Sequence, residues 1–261
     1  MPYRHAAWAM LLLAPVVLLA FWPAYFGVLP SASFAFHAHG MTATIWLALI
    51  GFQSWSAHQP DRRLHRAAGL AVFAVVPLFA GAAVLVLHSM ATKFALRTDP
   101  FYAALGARLA LHDIISTFVL IALVCTALAR RRNIAAHAAC LLSTAILVLP
   151  PVIARLPIPR FFHSGELIAL TLALVAAWVE PRGRWPFLLV AGIMIVHIAV
   201  FETIAASTPW AQIIMSFSTL AVAPFAIAAM AATLAALILA WRRVPPRRSP
   251  VRPSRATAEP A

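Results

Sequence analysis

Apolar runs about as long as a bilayer is thick govern what this chain can become. Eight of them, at residues 8–28, 38–57, 65–88, 108–129, 134–154, 164–179, 185–206 and 220–241, take up most of the sequence. A hydrocarbon core of ~30 Å needs roughly 20 helical residues, because backbone N–H and C=O groups find no water there and must bond within their own segment. The chain is 63% hydrophobic and only 10% charged, so an ordinary soluble domain is excluded. The sequence predicts an all-α polytopic integral membrane protein with eight transmembrane helices.

Charge placement gives the orientation. Arg4, the cluster Arg62, Arg63 and Arg66, the run Arg130 to Arg132, the pair Arg182 and Arg184, and six tail arginines fall on one side; these are fifteen basic residues. Lys93, Arg97, Arg108, Arg155 and Arg160 make five on the other. The richer side is expected to be cytoplasmic, with both termini there, in a bacterial cytoplasmic (inner) membrane. The net charge of +13 does not point to nucleic acid, because the arginines sit between apolar runs and form no stripe on a soluble face. Arg4 and SASFA give the first run some look of a secretory signal. Its apolar part is too long for that, and Trp22, Tyr25 and Phe26 read as an interfacial belt, so a retained helix is expected. A single transmembrane domain covers 1–241, with a core at 37–155 and helices 1 and 6–8 as accessories; 242–261, rich in proline and arginine, reads as a disordered basic cytoplasmic tail. Cys125 and Cys140 lie within apolar runs and read as packing thiols.

Histidines mark both ends of the predicted core. His37 and His39 open helix 2 and His112 opens helix 4 on the outer side; His65 opens helix 3 and His137 opens helix 5 on the inner side. His39 to His65 is 26 residues and His112 to His137 is 25, each interval holding one helix and a basic loop. That spacing reads as a duplicated helical hairpin. Two such hairpins make a four-helix, histidine-bearing core of helices 2–5, and bundle cores hold cofactors between facing helices. Haem iron takes axial imidazoles, and two give a low-spin electron-transfer centre. His39 or His37 with His112, and His65 with His137, are the expected iron ligands of two b-type haems. Arg108 and Arg66 are placed to grip propionates through paired hydrogen bonds. His39, Trp46 and Gln53 share one helix face, while His37, Thr44 and Gly51 share a smaller-surfaced one on which a flat macrocycle could lie; the repeat spacing favours His39.

The segments HAHGM and DRRLHRAAG, at the heads of helices 2 and 3, resemble the cytochrome b-561 family. They also resemble uncharacterised bacterial polytopic membrane proteins with an HR-x-x-G helix start. The first resemblance implies four consecutive helices holding two haems, with histidines of the second and fourth and of the third and fifth helices as ligands. It implies electron transfer across a membrane from ascorbate or a related reductant; a quinol or small reductant on one side and a respiratory-chain partner on the other are the partners expected of such a carrier. The histidine intervals here are shorter than that family's, and the helices more numerous.

The remaining polar residues divide by depth. His5, His58 and His163 are expected in solvated loops, and Glu166 and Glu202 among headgroups. His88 could stand in for an outer ligand. Asp113 adjoins His112, and His197 lies deep enough in helix 7 to count as a functional residue by default. Phosphate-cradling glycine loops, HExxH and a serine nucleophile elbow are absent from the sequence. Two other functions fit the pattern: an assembly or chaperone subunit of a respiratory oxidase that handles haem, and a proton-coupled small-molecule transporter.

Overall fold

A computed structural model describes residues 3–157 and 161–244. Arg160 and all of the expected disordered tail beyond Val244 lie outside the described residues. Every regular element among the described residues is helical. In chain order they are α1 (Ala6–Phe21), α2 (Phe34–Ser56), α3 (Arg63–Gly69), α4 (Val72–Leu96), α5 (Pro100–Ala129), α6 (Ile134–Leu147), α7 (Leu149–Ile153), α8 (Ser164–Val179), α9 (Arg184–Glu202), α10 (Thr208–Ser218) and α11 (Val222–Arg242). Short 3-10 turns at Phe26–Ser31, Pro181–Gly183 and Ile204–Ala206 complete the set.

Six stretches are long and apolar enough to cross a membrane: α2, α3 with α4, α5, α6 with α7, α9 with its flanking turns, and α11. The other two apolar helices, α1 and α8, have 16 residues each. At 1.5 Å per residue that is about 24 Å, short of a full hydrocarbon core.

The boundaries depart from the hydropathy pattern where local chemistry overrides it. α5 starts two turns before the expected 108, because the Asp99 carboxylate accepts from the Phe101 and Tyr102 amides at 2.9 and 3.3 Å and Pro100 fits the first turn. The expected fifth span divides at Val148, where Pro150 and Pro151 remove two amide donors. The third divides at Leu70–Ala71. α10 was not expected; Ser207 caps it, and its Trp210 indole donates to the Ala107 carbonyl at 2.6 Å, pinning it across α5.

Short connections make successive long helices reverse direction, so the bundle has two ends. One carries the α5–α6 turn with Arg131, the other the last turn of α9 with Glu202. α2, α4, α5 and α6 form a closed ring in which α4 packs on α2 and α5, and α6 on α5 and α2. Its centre is filled by Trp46, Val76, Phe79, Leu120, Leu123 and Leu147, all buried. Halfway along, the Trp46 indole N–H donates to the Thr144 hydroxyl at 3.1 Å.

Small residues set how closely the other helices approach, as packing within a membrane requires. At Gly81 of α4 a Cβ would sit 2.6 Å from Met230 Cγ of α11, and at Gly165 of α8 it would sit 2.7 Å from the Pro150 carbonyl oxygen. At the Arg131 end, the Arg131 guanidinium lies over the Trp241 ring (4.1 Å), donates to the Trp241 carbonyl at 2.8 Å, and also reaches the Val244 carbonyl. The phenol of Tyr3, outside the apolar helices, packs on Phe187 with ring centroids 6.0 Å apart, and burial pushes its pKa up.

Candidate functional site

At the Arg131 end, His65 and His137 are held by the same device. His137 donates Nδ1–H to the Ala127 carbonyl at 2.8 Å, and His65 Nδ1 faces the Gln53 carbonyl at 3.3 Å and the Ser56 hydroxyl at 3.5 Å. Each carbonyl belongs to the last turn or so of the preceding long helix, α5 in one case and α2 in the other. A carbonyl can only accept, so Nδ1 carries the proton and Nε2 keeps its lone pair. A second bond fixes α3 here: the Gln53 amide donates to the His65 carbonyl at 3.2 Å. An imidazole whose second nitrogen is tied to a carbonyl is a fixed, basic ligand for a metal. Arg66 is exposed on α3.

On α2 the two histidines turn different ways. His37 Nδ1 lies 3.2 Å from the Tyr25 hydroxyl, on the side of the helix that faces α1. Along that side Gly51 receives Met10, whose Cβ would lie 3.2 Å from an added methyl, so the small-surfaced stripe packs a helix. His39 turns inward, its ring centroid 5.2 Å from that of Phe79, with Nδ1 buried and without a hydrogen-bond partner.

At the Glu202 end, the partner of the His112 ring is His197 of α9, with centroids 3.8 Å apart and an interplanar angle of 37°. Both are buried. His112 Nε2 stands 3.6 Å from the Glu166 carboxylate of α8, and its Nδ1 stands 3.6 Å from the Asp113 carboxylate. His163 bridges onward: Nδ1 is 3.8 Å from Glu166 and Nε2 is 2.9 Å from Glu202. Arg108 pairs with Glu202 at 3.4 Å and lies over the Phe201 ring at 5.4 Å. His197 Nε2 faces the Ser116 hydroxyl at 3.5 Å.

Two expectations are corrected here. The sequence places His163 in a solvated loop and Glu166 among headgroups, yet each side chain is only 15% exposed. The cause is local: His163 precedes α8 in the left-handed region (φ 62°), which turns its ring back between α8 and α9, and Gly165 lets α8 close onto α7. His88 bonds the Leu220 carbonyl at 3.1 Å, away from this cluster. His197 and Asp113 carry sequence signals, depth in an apolar run and a place beside His112, whereas nothing in the sequence marks His163, Glu166 and Glu202 as their neighbours. The convergence of α5, α8 and α9 has no counterpart in residue spacing.

Among the described residues, no group of three or more His, Cys, Asp or Glu side chains converges to hold a metal ion by itself. Haem iron, which takes two axial ligands, makes a smaller demand. No family model matches this chain, and no curated protein or solved structure matches it significantly.

Proposed function

We propose that this chain is a multi-pass carrier of electrons in a bacterial inner membrane, with eight membrane helices and both termini cytoplasmic. One b-type haem would be held between His65 and His137 at the Arg131 end. The observation that carries this reading is the matched pair of Nδ1–carbonyl bonds, which leaves the Nε2 lone pair of both rings available to a ligand. Haem would supply a one-electron redox centre. The chain's residues orient both imidazoles, and the arginines around Arg131 would supply positive charge to balance propionates.

A second haem at the Glu202 end does not fit as simply. His39 offers a buried nitrogen, but the His112 ring rests against His197 and faces Glu166, which leaves no room for a macrocycle on that side.

The test is the visible spectrum of the purified protein, oxidised and reduced. A sharp low-spin b-type spectrum is expected, lost in both His65→Ala and His137→Ala while folding, checked by gel filtration and melting, is kept. Undiminished haem in both variants would end this reading.

A further inference from the structure

The groups at the Glu202 end form a line. Glu202, whose side chain is 48% exposed, meets His163; His163 meets Glu166; Glu166 meets His112; His112 meets Asp113. Every member can take up and release a proton, and each imidazole has one nitrogen toward each neighbour. Since no three ligands close around one point, the arrangement is a chain and not a cage. Its last member lines a groove of about 360 Å³ between α4, α5 and α11, whose other walls include Ala80, Leu87, Phe118 and Ala229. Asp113, its side chain 45% exposed along that apolar groove, is thus joined to the Glu202 end through three side chains that are each at most 15% exposed. His112 Nε2 is itself buried with no hydrogen-bond partner, which is unusual unless the atom has work beyond packing.

We propose that Glu202, His163, Glu166, His112 and Asp113 form a proton path between the water at the Glu202 end and the groove. A proton from water binds the Glu202 carboxylate and passes to His163 Nε2. The Nδ1 proton of His163 goes to Glu166, Glu166 passes one to His112 Nε2, and the Nδ1 proton of His112 goes to Asp113. One proton enters, one arrives, and nothing is oxidised or reduced. The three gaps of 3.6–3.8 Å lie beyond proton-transfer reach of about 3.2 Å, so each hop waits for a side-chain swing of roughly half an ångström. His197 and Ser116 position the His112 ring, and Arg108 holds Glu202. Other charged or titratable groups toward the terminus include His39 of α2, Tyr102 of α5 and Arg155 after α7. The path is independent of haem.

The probe is dicyclohexylcarbodiimide, a lipophilic reagent that modifies protonated carboxyls, with modification of Asp113 read by mass spectrometry. Sealed vesicles of both orientations carry the full-length protein. The pH on one side is lowered from about 8 to about 6, the range in which histidine changes charge, while the other side stays at about 8. Asp113 labelling should rise severalfold when the Glu202 side is acidified, and stay flat when the Arg131 side is. Glu166→Gln and His163→Gln should each abolish that response. In detergent, where both faces share one pH, both variants should still label Asp113 as the wild type does, which shows that the groove is intact. Labelling that follows the Arg131 side, follows both sides alike, is absent at every pH, or responds normally in Glu166→Gln and His163→Gln overturns the path.

Discussion

A single side chain joins two helices at the middle of the bundle. Trp46 fills the space between α2 and α6 and donates its indole N–H to Thr144, whose own hydroxyl donates to the Leu141 carbonyl at 2.6 Å. Trp46→Phe removes one hydrogen bond and little volume, so unfolding in mild detergent should show a loss of about 1 kcal/mol. Trp46→Ala leaves a cavity and should cost about 3–5 kcal/mol. Equal losses would mean that the bond outweighs the packing. At this scale the sequence was informative. The seven-residue step His39, Trp46, Gln53 did mark the face of α2 that turns into the bundle, because a helix repeats its direction almost fully every two turns. The step could not say what fills the opposite face, since that depends on α1.

Helix approach is set by glycines with measurable consequences. A Cβ at Gly165 would collide with the Pro150 carbonyl and its Cα, at 2.7 and 2.8 Å, and backbone cannot step aside as a side chain can. Gly165→Ala should therefore cost about 1–3 kcal/mol. It should also draw Glu166 away from His112. Gly192, where an added Cβ meets nothing within 4 Å, is the control; there Gly→Ala should be neutral or stabilising by about 0.5–1 kcal/mol, since alanine suits a helix interior better. Melting curves of the two variants in one detergent check both. Hydropathy located the apolar helices, because burying backbone in lipid demands unbroken apolar length. It missed the first two turns of α5, which a cap starts among polar residues, and α10, which lies too short and too mixed to register. The packing of α5 and of α8 against α9, and hence the His–carboxylate line, depends on long-range contacts that no local pattern encodes.

The orientation of the whole molecule rests on where its arginines fall. With fifteen basic residues assigned to one side and five to the other, the Arg131 end should face the cytoplasm. Partly exposed Gln59, between α2 and α3, and exposed Thr98, between α4 and α5, report the two ends. In intact cells a membrane-impermeant maleimide should modify Thr98→Cys directly, and Gln59→Cys only after the membrane is opened. The reverse pattern would invert the molecule. In either orientation the middle of the α2–α4–α5–α6 ring is packed with Trp46, Leu120, Leu123 and Leu147. It acts as insulation. Ions and water lines find no foothold in that dry layer, where moving each charge across a 100 mV potential exchanges about 2.3 kcal/mol. Vesicles carrying this protein should therefore hold an ion gradient as long as empty ones do.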